Sequence, residues 1–222
     1  MRSFSLRYTL LTYKLDQLWF PAGLWALFVI LAIIFRSDGS KLFDVARAYL
    51  GAVLPLLGGV LAAYVVLDDP VLELRFATPV PAWQVLSERL GFTLSILALT
   101  AFSYQALVVA LGCDLAQLGN PLAVQLAWLV PTLAMMGLGC LGALVFAQPT
   151  AGAMLVGLVW LFELVARGWF IDDRWARYFM LFLGIFVPGH PDLRLSQLVL
   201  LAVTIVFLIV AWALYHKQER YI

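Results

Sequence analysis

Six long apolar stretches constrain this chain more than any other feature of its sequence. A helix that crosses about 30 Å of hydrocarbon needs roughly 20 consecutive apolar residues, and each stretch meets or approaches that length. An open sheet edge in lipid would leave backbone groups unpaired, so all six are expected to be α-helices. We predict an all-α membrane protein with six transmembrane helices. The predicted spans are residues 18–35, 48–67, 90–111, 122–147, 151–170 and 198–215.

The composition points the same way. Charged residues make up 12% of the chain and hydrophobic residues 64%, whereas charged residues are about a quarter of a soluble domain. The net charge is +1, and the basic residues lie in small groups, which argues against nucleic acid as a partner. Cys113 and Cys140 are predicted at different depths and should remain free thiols. We treat residues 1–222 as one transmembrane domain.

The N-terminal residues 1–17 have the pattern of a helix lying in the membrane interface. Apolar side chains recur at helical spacing, with polar ones turned elsewhere. The alternative is a polar tail without regular structure. The apolar positions are Phe4, Tyr8, Leu11, Leu15 and Leu18.

The segment between the fifth and sixth spans contains a shorter apolar run. Residues 178–187 precede a Pro-Gly-His-Pro sequence and are too few to cross a membrane, so residues 171–196 are predicted to be re-entrant. Aromatic residues crowd this region. They are interpreted either as an aromatic belt at the interface or as an outer gate, and the two interpretations are compatible. The gate candidates are Trp169, Phe170, Phe179 and Phe182.

Charge alone does not orient the chain. Six crossings place both termini on one side, but assigning Lys and Arg to alternate sides gives seven on each, from the total of 14. The positive-inside rule is therefore tied.

A polar insert follows the second span. Residues 68–90 carry six charges and three prolines, and each charge would cost about 2.5 to 3.5 kcal/mol at the bilayer centre. Asp69 is a suitable N-cap, Pro70 a suitable first helical residue, and Thr78 before Pro79 is pushed out of the α region. These positions predict a helix of about two turns outside the hydrocarbon. The alternative is an ordinary capped loop.

The insert resembles the cytoplasmic segment between spans two and three of the ABC-2 family of ATP-binding-cassette exporter permeases, also called type V exporters. The similarity lies in Leu72-Glu73-Leu74, Ala77-Thr78-Pro79-Val80, Trp83-Gln84-Val85-Leu86 and Arg89. The resemblance also implies the interfacial helix, the six spans and outer re-entrant helices between spans five and six.

The resemblance implies a function for the insert. Residues 68–82 would form a coupling helix that contacts a separate ATPase subunit, which places both termini in the cytoplasm and the chain in the plasma membrane. The implied partners are two ATPase copies and a second copy or homologue of the permease. The coupling residues would be Leu72, Glu73, Leu74, Arg75, Phe76 and Pro79.

No catalytic or cofactor site is expected in this chain. No Gly-rich phosphate loop surrounds any of its lysines, Lys14, Lys41 and Lys217. ATP and magnesium would bind to the partner ATPase. No set of histidines and acids suggests a metal site or a hydrolase.

Glu163 and Arg167 are candidates for an intramembrane ion pair. Their order and spacing place them on one helix face, and ionisable groups in a membrane are functional candidates. The structural interpretation is a pair near the outer surface, where Arg167 can extend to water.

Small residues are expected to let helices approach closely. Gly58 and Gly59 lie in the second predicted span, and Gly137, Gly139 and Gly142 in the fourth. Such residues can also act as hinges in a pump.

Two other classes of function stay open. A secondary transporter or channel would be expected to carry polar residues at mid-span, and few are found. The third possibility is a membrane protein that does not transport but anchors or protects another complex, such as an immunity protein.

Overall fold

The computed structural model of the chain describes residues 15–67 and 82–215, and every regular element in these ranges is helical. Four helices are long and apolar enough to cross a membrane, in agreement with the predicted class of protein. Most of the predicted interfacial helix, residues 1–14, and of the predicted coupling segment, residues 68–81, lies outside the described residues.

Six principal helices correspond in order to the six apolar stretches, and two short helices lie between the fifth and the last of them. The bounds are α1 Leu15–Ile34, α2 Gly39–Leu67, α3 Ala82–Ala110, α4 Pro121–Phe146, α5 Pro149–Val165, the short α6 Arg167–Asp172 and α7 Leu183–Phe186, and α8 Leu193–Tyr215, with 3₁₀ turns at Leu115–Leu118 and Ala176–Phe179. Of these, α2, α3, α4 and α8 have the length and hydropathy of membrane spans, while α1 and α5 contain shorter apolar stretches.

Local capping residues set the helix ends. The Asn120 side chain accepts a hydrogen bond from the Ala123 N–H at 2.8 Å, and Pro121 follows as the first helical residue of α4. Ala147 ends α4 in the left-handed conformation, with φ 53°. Pro149 then begins α5, so the connection between α4 and α5 is a tight turn.

Helix α2 begins before its apolar run. Hydropathy predicted a span from residue 48, but the helix starts at Gly39, because Asp38 caps it. The Asp38 carboxylate accepts from the Ser40 hydroxyl at 2.7 Å and the Lys41 N–H at 3.2 Å. These bonds, with Ser40 the strongest influence, lower the pKa of Asp38 from 3.8 to about 2.

The first turn of α2 should therefore open in acid. A lowered folded-state pKa means that the carboxylate stabilises the cap above pH 3.8, and that this is lost as the pH falls through 2. We expect the protection of the Lys41 N–H against hydrogen exchange to fall across this interval. In Asp38→Asn, which caps without titrating, protection should be independent of pH. The same acid response in both proteins would contradict the assignment.

The core of the bundle is built from α2, α4 and α5, which meet at glycines. A Cβ built on Gly139 of α4 would overlap the carbonyl oxygen of Gly59 in α2, and a Cβ on Gly152 of α5 would lie 2.6 Å from the Ala143 nitrogen. The expectation that small residues let helices approach closely is confirmed at Gly59 and Gly139, where α2 and α4 meet. Helix α8 packs on α4, α3 packs on α2, and α1 contacts α3 and the start of α2.

Helix α2 contains one π-helical turn, Tyr49–Val53, in which the Leu54 N–H donates to the Tyr49 carbonyl. Pro55 explains its position. A proline lacks the N–H that the carbonyl four residues earlier would accept, and its ring crowds that carbonyl, here Gly51. The wider turn relieves the crowding. The π-turn brings Gly51 and Ala52 towards α5 and the segment that precedes α8.

Candidate functional site

The chain between α5 and α8, residues 166–192, folds back into the bundle. Its middle part, residues 180–185, is buried, with Met180 fully buried and Phe182 and Leu183 each 1% exposed. We call residues 180–185 the plug. Residues 180–183 of the plug belong to a core cluster with Val130 of α4 and Val156 of α5, and Ile185 is 6% exposed, so the plug is part of the packed interior.

Glu163 of α5 holds the plug through the backbone. It is 4% exposed, and its carboxyl group accepts a hydrogen bond from the Leu181 N–H at 2.8 Å. A buried N–H without an acceptor is costly, and so is a buried carboxyl group without a donor. The bond gives the Leu181 N–H its acceptor and one carboxyl oxygen a donor, and it fixes where the plug enters the bundle.

The structure does not bring Glu163 and Arg167 together as an ion pair. Arg167 is exposed, and its guanidinium lies over the Phe186 ring at 5.5 Å from the centroid. The predicted pairing assumed one continuous helix. Helix α5 ends at Val165, and Ala166, with φ −88° and ψ 14°, separates it from α6, so the four-residue spacing no longer aligns the two side chains.

The four candidate gate aromatics fall into two groups. Phe170 and Phe182 are buried members of one core cluster, whereas Trp169 and Phe179 are exposed by 57% and 53%. Phe170 packs edge-on against Trp169, and Phe182 packs edge-on against Phe186. The structure thus places Phe182 within the plug, Phe170 in the same core cluster and the other two rings at the surface.

Charged residues stabilise the part of the segment that precedes the plug. The Asp173 carboxylate accepts from the Ala176 and Trp175 N–H groups, both at 2.8 Å, which lowers its pKa. Arg177 pairs with Asp192 at 3.0 Å and also donates to the Ile171 carbonyl. The pair joins residues on either side of the plug, so the plug lies within a loop that Arg177 and Asp192 close.

The plug also contacts the π-turn of α2. The side chain of Ile185 occupies the space that a Cβ on Gly51 would need. The Trp160 indole N–H of α5 donates to the Ala52 carbonyl at 2.8 Å in the same turn. Sequence reasoning missed both contacts. Pro55 was the only local sign of an irregular turn, and nothing local indicates which residues fill it.

A narrow, partly open cleft with room for about one water molecule lies on another side of the plug. Helices α4 and α8 form its walls, with Pro131 and the buried Ser196 among the lining residues. The plug thus contacts α2 and α5 on one side, and on the other it contacts α4 and α8 beside a narrow cleft.

A polar pair that sequence reasoning did not single out connects α3 and α4. The amides of Gln105 and Gln125 bond to each other at 2.8 and 3.3 Å, and the Trp128 indole donates to Gln125 at 2.8 Å. Polar side chains at matched depths can bond across membrane helices. The pair fixes the register of these helices.

The six predicted coupling residues, Leu72, Glu73, Leu74, Arg75, Phe76 and Pro79, lie outside the described residues. Within residues 15–67 and 82–215, no group of three His, Cys, Asp or Glu side chains is placed to hold a metal ion. The helices and their hydropathy define a class, the polytopic helical membrane proteins. Comparison with protein-family profiles, curated proteins and solved structures finds no match.

Proposed function

We propose that this chain is the membrane-spanning permease subunit of an ATP-driven exporter of the ABC-2 type. It would form half of the translocation pathway and pair with a second copy or a homologous permease. Two copies of a separate ATPase would bind ATP and magnesium and drive it. The chain would lie in the plasma membrane with both termini in the cytoplasm.

The observation that carries the proposal is the place of the polar insert between α2 and α3. The Arg89 guanidinium of α3 donates to the Val65 carbonyl near the end of α2 at 2.8 Å, where helix carbonyls lack partners within the helix. Arg89 therefore ties together the two helices that the insert joins. A force on the insert would reach α2 and α3 as a unit, as a coupling segment requires.

The arrangement of the helices supports six crossings. Helix α5 has 17 residues, which span about 26 Å at 1.5 Å per residue, and α6 continues it after Ala166. Helix α1 has 20 residues. Both lengths lie within the range of roughly 17 to 25 residues for membrane-spanning helices. The folded-back plug before the last helix also fits the re-entrant element of this class of exporter.

Binding to an ATPase tests the proposal. A neighbouring reading frame should encode an ATP-binding-cassette ATPase that co-purifies with the chain, and Glu73→Lys or Phe76→Asp should reduce the recovered ATPase by about tenfold or more, as loss of a central interface contact does. Asp44→Lys is the matched control, because Asp44 lies near the opposite end of α2 and is 59% exposed. Undiminished binding by both insert variants would overturn the assigned coupling surface.

A further inference from the structure

The contact between Ile185 and Gly51 depends on a missing side chain. A Cβ built on Gly51 would overlap Cδ1 and Cγ1 of Ile185, while Cβ of Ile185 would lie 3.3 Å away. The end of the isoleucine side chain therefore fills a gap that only glycine leaves. Ile185 is 6% exposed, so this contact is part of the interior.

Helix α5 binds both sides of this contact. Trp160 donates to the Ala52 carbonyl of the π-turn, and Glu163 accepts from Leu181 of the plug. Residues three apart on a helix lie on neighbouring positions of one face. The π-turn therefore contacts α5, α5 contacts the plug, and the plug contacts the π-turn through Ile185.

On the side of α4 and α8, the plug lines a narrow cleft that is partly open to the exterior and has room for about one water molecule. Residues 180, 181, 183 and 184 touch this cleft. The plug is therefore not fully enclosed on that side, and loss of its contact with the π-turn would let it shift towards α4 and α8.

We propose that Gly51 and Ile185 form a latch that seats the plug on the π-turn of α2, and that movement of α2 releases it. In the proposed exporter, the latch would close the outer end of the pathway, and α2 would connect it to the coupling segment. This gating role rests on the proposed function, whereas the seating of the plug does not.

Thiol labelling of the isolated chain tests the seating. Leu183 is 1% exposed, so the thiol in Leu183→Cys should react slowly with a water-soluble maleimide. The native Cys113 and Cys140 are buried, and the chain without Leu183→Cys supplies the blank. Adding Gly51→Ala should speed labelling at least about tenfold, since overpacking of this kind shifts a local opening equilibrium by that factor or more.

A double variant, in which the missing side-chain volume moves from residue 185 to residue 51, provides the decisive test. In the double variant Gly51→Ala, Ile185→Ala, the new methyl group on residue 51 would lie 3.3 Å from Cβ of residue 185, so labelling should return to within about threefold of the parent. Ile185→Ala alone should also label faster, because it leaves the gap empty. If Gly51→Ala does not fold, the labelling rate of Ile185→Ala is compared with that of the double variant, and slower labelling of the double variant supports the latch.

Gly157→Ala is the matched control, because a Cβ there meets nothing within 4 Å. Unchanged labelling in Gly51→Ala, or equally fast labelling in the single and double variants, would overturn the latch. Because the experiment contains no ATPase, a seated plug without any ATPase binding would overturn the exporter proposal and leave the latch in place.

Discussion

Gly139→Ala is expected to destabilise the protein by about 3 kcal/mol or more, at the upper end of the usual cost of overpacking. The added methyl group would overlap the Gly59 carbonyl oxygen, and backbone cannot rotate away as a side chain can. The main contact of the bundle, between α2 and α4, would have to open. Thermal unfolding in detergent, followed by a thiol-reactive dye on the two buried cysteines, measures the effect.

Gly157→Ala is the matched control in this case too. It lies within α5 and has open space around its Cα hydrogen, so alanine should stabilise the helix by up to about 1 kcal/mol. Equal melting temperatures for Gly139→Ala and Gly157→Ala would refute the glycine contact.

Glu163→Leu is expected to cost about 1 to 3 kcal/mol, because it leaves the Leu181 N–H buried without an acceptor. Glu163→Gln keeps a carbonyl oxygen at the same place and should retain most of the stability. Hydrogen exchange at the Leu181 N–H gives the direct measurement. We expect rapid exchange in Glu163→Leu and protection close to that of the parent in Glu163→Gln.

Arg167→Leu separates this interpretation from an ion pair. Arg167 is exposed and lies over Phe186, so its loss should leave the exchange of Leu181 unchanged. If Arg167→Leu and Glu163→Gln both released the Leu181 N–H, the carboxylate would be held by charge, and the hydrogen-bond assignment would fall.

Hydropathy located the helices because a segment that crosses hydrocarbon must carry apolar side chains and pair its backbone groups in a helix. It misplaced the start of α2, which extends back to Gly39 through a polar turn that Asp38 caps. Such turns are fixed by hydrogen bonds that hydropathy does not register.

The contacts of the plug could not be predicted in the same way. The spacing of Glu163 and Arg167 indicated a pair on one helix, but the helix breaks at Ala166, and the partner of Glu163 is a backbone N–H 18 residues away. Which residues meet in this region depends on how the chain folds back, and that is decided by the shape of the whole bundle. Only the small size of Gly59 and Gly139 indicated in advance where helices would touch.

The unequal burial of the helices bears on how the protein would respond to its lipid surroundings. In α2 and α4, 67% of the most apolar stretch is buried inside the protein, against 17% in α8. Acyl chains would therefore surround α8 far more than the central pair. A change from long-chain to short-chain lipids should increase the tilt of α8, because its 23 residues would then exceed the thinner hydrocarbon layer, while the glycine-packed centre keeps its geometry.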